Sequence, residues 1–291
     1  MMFNLLRSDL YRLVHGRKFW VVTASVVLLT AGLLTTLMLL GAATGAAQTD
    51  TDGVTVTANA TSGLAASARM MDSHTAMLSS SGMGGGSMLA MFVAVLAVLV
   101  VMDDWDAGFV KNLLAGRRSR MVYAADRLLL SALLTAWNVA VAIASLELTC
   151  LALGVRFRHA ESLGTYLAFC GLKTLGVITF VMVAVALAMI ARSKAFGVAA
   201  AVLVGAGVMG SLLNIVLSMI AAYAPWVGRL TPWLPSNTVK LYADGAGLFA
   251  TTAGGVSLGM PVWAHALICF VGWIVLSVGA TLLVNRRRDV C

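Results

Sequence analysis

Two ionisable residues, Glu147 and Lys173, lie within long apolar stretches of the sequence. A charge at the centre of a bilayer costs at least ~2.5–3.5 kcal/mol, so each residue needs a partner or water. Glu147 precedes Gly154 by seven residues and Lys173 follows Tyr166 by seven, which places both about 10 Å from the same end of two neighbouring helices. This spacing predicts a buried ion pair between them. A substrate-facing or proton-relay role for either residue is the alternative.

The other residue types that often carry chemistry form no site in the sequence. The histidines are scattered and no HExxH pattern occurs, which argues against a metal centre. The cysteines lack CxxC spacing, and only a disulfide between Cys150 and Cys170 is left open. No GxxxxGK(S/T) phosphate loop is present, because no glycine precedes Lys173-Thr174. We therefore expect no catalytic residues, and no metal or cofactor bound by this chain.

The fractions of hydrophobic and charged residues indicate whether water or lipid surrounds the chain. Of 291 residues, 60% are hydrophobic and only 11% are charged, and the mean hydropathy is +0.93. A soluble domain carries roughly 25% charged residues, so this chain has too little polar surface to cover a water-soluble particle of its size. The composition thus excludes an ordinary soluble enzyme, a disordered chain and a nucleic-acid-binding protein. It predicts an all-α integral membrane protein.

Six apolar stretches are long enough, or nearly so, to cross a bilayer, which needs about 20 residues. They cover residues 20–41, 86–102, 128–154, 166–191, 195–224 and 262–284. Fourteen basic and six acidic residues fall in the segments on one side, whereas five of each fall on the other. The positive side is the cytoplasmic one. The sequence therefore predicts one transmembrane domain of six spans over residues 1–291, in the cell membrane, with both termini in the cytoplasm.

The segments outside the spans differ in character. Residues 1–18 carry apolar side chains at helical spacing together with arginines, and they predict an amphipathic helix in the membrane interface. Residues 42–87 are rich in small polar residues and predict a flexible outer connection. Residues 225–261 hold all four prolines and two tryptophans, and Trp263 lies just beyond them. They predict short proline-broken helices in the outer leaflet, or else an ordered surface loop.

The segment between the second and third spans, residues 103–126, has the most distinctive charge pattern. Acidic residues begin it and basic residues follow, an order that suits the dipole of a helix. Phe109, Leu113 and Leu114 supply a small apolar face. The pattern predicts a short cytoplasmic helix with a partner-facing surface, or else a solvated loop whose charges only orient the spans.

This segment resembles the intracellular loop of ABC-2-type transporter permeases, particularly the small ones that export or give immunity to lantibiotics, bacitracin and other antimicrobial peptides. That loop has an acidic cluster, a glycine, Lys-Asn with two aliphatic residues, a small residue, Ser-Arg and a further basic residue. The matching positions are Asp103, Asp104, Asp106, Gly108, Lys111, Asn112, Leu113, Leu114, Gly116, Ser119, Arg120 and Arg127. Phe109 stands where threonine is usual, and Arg127 where lysine is usual. Residues 4–13 and the six-span plan also look like that family.

The resemblance implies a transport subunit rather than an enzyme. Two such subunits, identical or paralogous, pair in the lipid membrane with two separately encoded ATPase subunits, which bind the ATP and Mg²⁺. The coupling helix that docks on the ATPase corresponds to residues 103–120, and the substrate is an amphipathic peptide, drug or lipid-like molecule. Two alternatives are left open. One is an ion-coupled secondary transporter that uses Glu147 and Lys173, and the other is a non-transporting sensor or assembly subunit on the same scaffold.

Overall fold

The computed structural model describes residues 2–45, 70–80, 87–106, 120–249 and 260–287, and these are mostly helical. In chain order the elements are α1 (Met2–Val14), α2 (Arg17–Gly45), β1 (Met70–Met71), α3 (His74–Ser80), α4 (Met88–Asp106), α5 (Arg120–Leu153), β2 (Arg156–Phe157), α6 (Leu163–Ala191), α7 (Lys194–Gly205), α8 (Val208–Ala221), α9 (Pro225–Gly228), α10 (Pro235–Lys240) and α11 (Val262–Arg287). Two 3-10 helices, Thr231–Trp233 and Leu241–Phe249, follow α9 and α10 respectively.

Several helices have the length and composition of membrane spans. Four qualify outright: Phe19–Thr36 of α2, Met121–Leu153 of α5, Leu163–Ala191 of α6 and Val262–Arg286 of α11. The bent pair of α7 and α8 makes a fifth if it is one span, and Met88–Asp103 of α4 is apolar but shorter. The chain is therefore an all-α, multi-pass membrane protein. The number of six spans stays a prediction.

The fifth predicted span, residues 195–224, is not one continuous helix. Its first part, α7, ends at Gly205, α8 starts at Val208, and the two are bent by 68°. Gly207 between them has φ +78°, a left-handed conformation that glycine adopts without the steric cost of a side chain. Whether this bent pair is the predicted fifth span stays a prediction, because hydropathy alone does not distinguish a straight apolar helix from two apolar helices joined at a glycine.

The centre of the bundle is α6, which packs against α4, α5, α7 and α11. The contact between α4 and α7 is close enough to require glycine. A Cβ atom at Gly205 would lie 2.5 Å from Cα of Met91, and one at Gly197 would lie 2.9 Å from Cγ1 of Val98. The short apolar helix α4 is therefore enclosed by its neighbours, and Val93 in its middle has no exposed surface.

The N-terminal helix α1 packs against α5 and is fixed there by charge. Nη2 of Arg127 lies 3.0 Å from Oδ2 of Asp9, and the two side chains are 3% and 9% exposed. A corner at Gly16 leads into α2, and the indole of Trp20 donates a hydrogen bond to the Val14 carbonyl across it at 2.7 Å. A helix therefore covers Met2–Val14 of the predicted segment 1–18, and its place in the membrane interface stays a prediction. It is joined to the bundle by an ion pair that an amphipathic pattern does not predict.

At the opposite end of the bundle, connecting segments fold together. The strands β1 and β2 pair in parallel. The short helix α3 packs against the 3-10 helix Leu241–Phe249. There Gly245 has φ +56°, and a Cβ atom at this position would lie 2.8 Å from Oγ1 of Thr75. Residues 71–79 are thus packed and partly buried, which corrects the prediction of a flexible connection for that part of 42–87.

The proline-rich segment after α8 consists of short helices, two of which begin at a proline. Pro225 is the first residue of α9 and Pro235 is the first residue of α10. Proline suits this position, because the N–H that it lacks would have no acceptor within the helix. The indole of Trp273 in α11 donates a hydrogen bond to the carbonyl of Trp233 at 2.9 Å, which holds the segment against the bundle. Its place in the outer leaflet stays a prediction.

Candidate functional site

Glu147 of α5 lies in a polar cluster with residues of α3 and α6. The hydroxyl of Tyr166 donates a hydrogen bond to Oε1 of Glu147 at 2.8 Å. Nδ1 of His74 lies 3.0 Å from Oε2 of Glu147. The His74 ring also stacks on Phe157, with centroids 3.7 Å apart. An imidazole and a phenol therefore hold this carboxylate.

Lys173 of α6 is 3% exposed and has a different environment. Its Nζ donates a hydrogen bond to the carbonyl of Leu78 in α3, and lies 5.7 Å from the ring centroid of Phe169. Carbonyl groups in the last turn of a helix carry partial negative charge, which stabilises a cation. The predicted ion pair of Glu147 with Lys173 is therefore corrected. Each side chain contacts α3 instead, Glu147 through His74 and Lys173 through the backbone one turn later.

A second carboxylate, Glu161, lies beside this cluster and holds the start of α3. Its Oε2 accepts a hydrogen bond from the backbone N–H of Thr75 at 3.1 Å, and its Oε1 accepts one from the Thr75 hydroxyl at 2.5 Å. The same hydroxyl oxygen accepts a hydrogen bond from the backbone N–H of Ala246 at 2.8 Å. Thr75 thus connects its own segment to those of Glu161 and Ala246. These contacts fix the neighbouring His74 in the position from which it contacts Glu147.

The two carboxylates face a common cavity of about 340 Å³, which His74, Leu163 and Tyr166 also line. Pockets for small ligands usually measure about 300–1,000 Å³. Carboxylates beside an imidazole and a phenol can balance the charge of a cationic group or exchange a proton. Within the described ranges, no group of three or more His, Cys, Asp and Glu side chains is arranged to hold a metal ion.

Sequence reasoning finds Glu147 but misses the residues around it. His74 is separated from Glu147 by 73 positions and belongs to the connection that the composition predicts as flexible. Glu161 and Tyr166 flank the start of α6, where polar residues are ordinary. The one signal in the sequence is that a charge within an apolar stretch needs a partner. The identity of that partner depends on how the connection folds back.

Cys150 and Cys170 are free thiols, so the disulfide that the sequence leaves open is absent. Cys150 is buried, and its Sγ lies 3.0 Å from Sδ of Met77. This contact joins α5 to α3, the same two helices that His74 and Glu147 join. Cys150 therefore helps to pack α5 against α3 beside the cluster around Glu147.

The predicted coupling segment lies at the other end of α4 and α5, and the structure describes only its edges. Asp103 forms an ion pair with Lys194, with Nζ 2.7 Å from Oδ1. Asp104 and Asp106 continue α4, and Arg120 begins α5. The remaining predicted coupling residues lie outside the described residues: Gly108, Phe109, Lys111, Asn112, Leu113, Leu114 and Ser119. Their role in coupling stays a prediction.

Comparison with known proteins gives no family assignment. No protein-family model matches the chain, and no curated protein matches it.

Proposed function

We propose that the chain is the membrane-spanning permease subunit of an ATP-driven ABC exporter, with ATP hydrolysis on a separately encoded partner. Residues 103–120, which resemble the coupling loop of ABC-2-type permeases, are the basis of the proposal. The sequence has no phosphate loop, so ATP and Mg²⁺ would bind to the partner ATPase. Two permease subunits, identical or paralogous, would form the pathway in the cell membrane.

The observation that carries the proposal concerns α4 and α5, the helices that precede and follow the coupling segment. An ion pair connects each of them to another helix of the bundle. On α4, Asp103 pairs with Lys194, the first residue of α7. On α5, Arg127 pairs with Asp9 of α1, which leads into α2. A force applied by a docked ATPase would therefore act on four bundle helices together, because close-packed helices shift as units rather than deform.

An amphipathic substrate suits the surfaces of this chain. The helix α8 has no buried residues, and most of its exposed side chains are large and apolar, as at Leu212, Ile215 and Met219. The cavity beside Glu147 and Glu161 offers two carboxylates. An antimicrobial peptide, drug or lipid-like molecule with a cationic group matches both kinds of surface.

Replacing Phe109, Leu113 and Leu114 together with glutamate tests the coupling role. The charges should remove the apolar docking face, because anchoring apolar side chains dominate such interfaces. The measurements are the yield of the phosphate-loop ATPase that copurifies with the tagged full-length chain, and cellular resistance to bacitracin and a lantibiotic. Both should fall together while membrane insertion persists.

A matched variant controls for the added charge. Glutamate at Thr55, Thr57 and Thr61 places the same three charges in the outer connection, and both readouts should stay at wild-type levels. Lys111→Gln should cause a smaller loss than the apolar triple variant. If the triple variant retains its ATPase at wild-type yield, the docking surface lies elsewhere and α1 becomes the next surface to test.

An ion-coupled transporter is the second candidate, and the contact between His74 and Glu147 favours it. Nδ1 of His74 lies 3.0 Å from Oε2 of Glu147, a distance at which a proton can pass between an imidazole and a carboxylate. A protonophore that collapses the proton gradient in cells with maintained ATP separates the two candidates. Export that continues supports the ATP-driven permease, and export that stops supports ion coupling. Binding of the ATPase without any export would identify a sensor or assembly subunit.

A further inference from the structure

Two buried oxygen atoms have no hydrogen-bond partner among the protein groups that the structure describes. They are Oγ1 of Thr23 in α2 and Oδ1 of Asn138 in α5. Thr23 is 8% exposed and Asn138 is fully buried. Buried polar atoms in native proteins are nearly always paired with a protein group or with ordered water, because an unpaired one loses its hydration without compensation. What satisfies these two atoms depends on whether they face each other.

Two contacts fix how α2 and α5 lie against each other. The hydroxyls of Thr30 and Ser145 form a hydrogen bond, with their oxygens 2.5 Å apart. Eleven residues earlier in α2, the ring centroid of Phe19 lies 6.2 Å from that of Trp137, which is eight residues earlier in α5. The earlier residues of one helix thus contact the earlier residues of the other. The two helices therefore run side by side in the same direction.

This register places Thr23 opposite Asn138. Thr23 precedes Thr30 by seven residues, and Asn138 precedes Ser145 by seven. Residues seven apart lie on nearly the same face of a helix, because seven residues make almost two full turns. Both residues therefore belong to the interface between α2 and α5, at the same level, two turns before the contact of Thr30 with Ser145.

The polar groups of this pair suit a molecule that can both donate and accept hydrogen bonds. Nδ2 of Asn138 donates to the Leu134 carbonyl at 2.8 Å, which identifies the remaining amide atom as an acceptor oxygen. The hydroxyl of Thr23 can donate and accept. The two oxygens form no hydrogen bond with each other. A water molecule can satisfy both, since two to four polar partners are enough to hold a buried water.

A cavity of about 460 Å³ between α1, α2, α4 and α5 extends to within one helical turn of the pair. Phe19 and Leu134 line this cavity, and they precede Thr23 and Asn138 by one turn in their respective helices. Charged side chains such as Arg127 also line it, which favours water inside it over an empty apolar space. Water in the cavity is therefore separated from the two oxygens by about one turn of helix.

We propose that one water molecule binds between α2 and α5 and bridges Oγ1 of Thr23 and Oδ1 of Asn138. The water donates a hydrogen bond to the amide oxygen and accepts one from the threonine hydroxyl. An apolar ligand would leave both oxygens unpaired, and a metal cation would need more oxygen ligands than these two. With the hydrogen bond between Thr30 and Ser145, the bridge gives the interface a second polar contact and holds the two helices in one register. The proposal involves neither ATP nor a transported substrate, so it is independent of the proposed function.

A crystal structure of the purified full-length chain, grown in a lipidic cubic phase at a resolution that shows ordered water, tests the proposal. Density for one water is expected within about 2.7–3.2 Å of both oxygens. Density for a lipid or detergent atom in its place, no density at that position, or a direct hydrogen bond between Thr23 and Asn138 would each overturn the proposal. These outcomes are read from the wild-type chain and do not depend on whether a variant folds.

Thr23→Val removes the hydroxyl and nearly keeps the shape of the side chain, so the water density should disappear. Thr281→Val is the matched control, because Thr281 is fully buried but its hydroxyl donates to the Ser277 carbonyl of its own helix, and the water should stay. The effects of Thr23→Val and Asn138→Leu on the unfolding equilibrium constant should deviate from independence on the order of fivefold, because the bridge needs both residues. Independent effects, or water density that persists in Thr23→Val, would contradict the bridge.

Discussion

Breaking the buried ion pair between Asp9 and Arg127 tests whether α1 is fixed to the bundle through charge. The side chains are 9% and 3% exposed, and their charged atoms lie 3.0 Å apart. Removing one partner leaves a charge in a poorly solvated position, which costs about 3–5 kcal/mol. Asp9→Leu and Arg127→Met should therefore each lower the free energy of unfolding by about 3–5 kcal/mol, whereas the double variant should lose much less than the sum.

The pair Asp103–Lys194 provides the comparison, because its side chains are 33% and 37% exposed. Water screens such a pair, so its coupling energy should be about 0–1 kcal/mol. Free energies of unfolding are measured by steric trapping in bicelles of one lipid composition, for both double-mutant cycles. A coupling energy at Asp9–Arg127 that is no larger than at Asp103–Lys194 would refute the reasoning. In that case α1 would be held by apolar contacts alone.

Three further measurements address other parts of the chain. A single cysteine at position 80, in a chain without the native cysteines, should react with a membrane-impermeant thiol reagent in intact cells. Labelling only after permeabilisation would show that the predicted topology is wrong. Gly245→Ala should cost about 1–3 kcal/mol, because φ is +56° and a Cβ would lie 2.8 Å from a threonine hydroxyl, whereas Gly272→Ala meets nothing within 4 Å and should be neutral or stabilising. In thermal unfolding, Glu147→Gln should couple more strongly to His74→Ala than to Lys173→Met; the reverse ranking would restore the predicted ion pair.

The sequence by itself determines the class of protein and most of its long helices. With 60% hydrophobic residues and long apolar stretches, the chain can satisfy its backbone hydrogen bonds in lipid only by forming helices within each stretch. The helices α2, α5, α6 and α11 follow directly from this requirement. The sequence also shows that Glu147 needs a polar partner, because an unpaired charge within an apolar segment is costly.

Only the tertiary structure decides which groups meet. The partner of Glu147 is His74, 73 residues away, and the partner of Lys173 is a backbone carbonyl, which every residue possesses and no pattern marks. The bend at Gly207 and the docking of α1 through Asp9 likewise depend on contacts between elements. Hydropathy indicates which stretches lie in the membrane, since hydropathy is a property of each residue by itself. Pairing depends on how the connections fold back over the bundle, and that is fixed only when all the helices pack together.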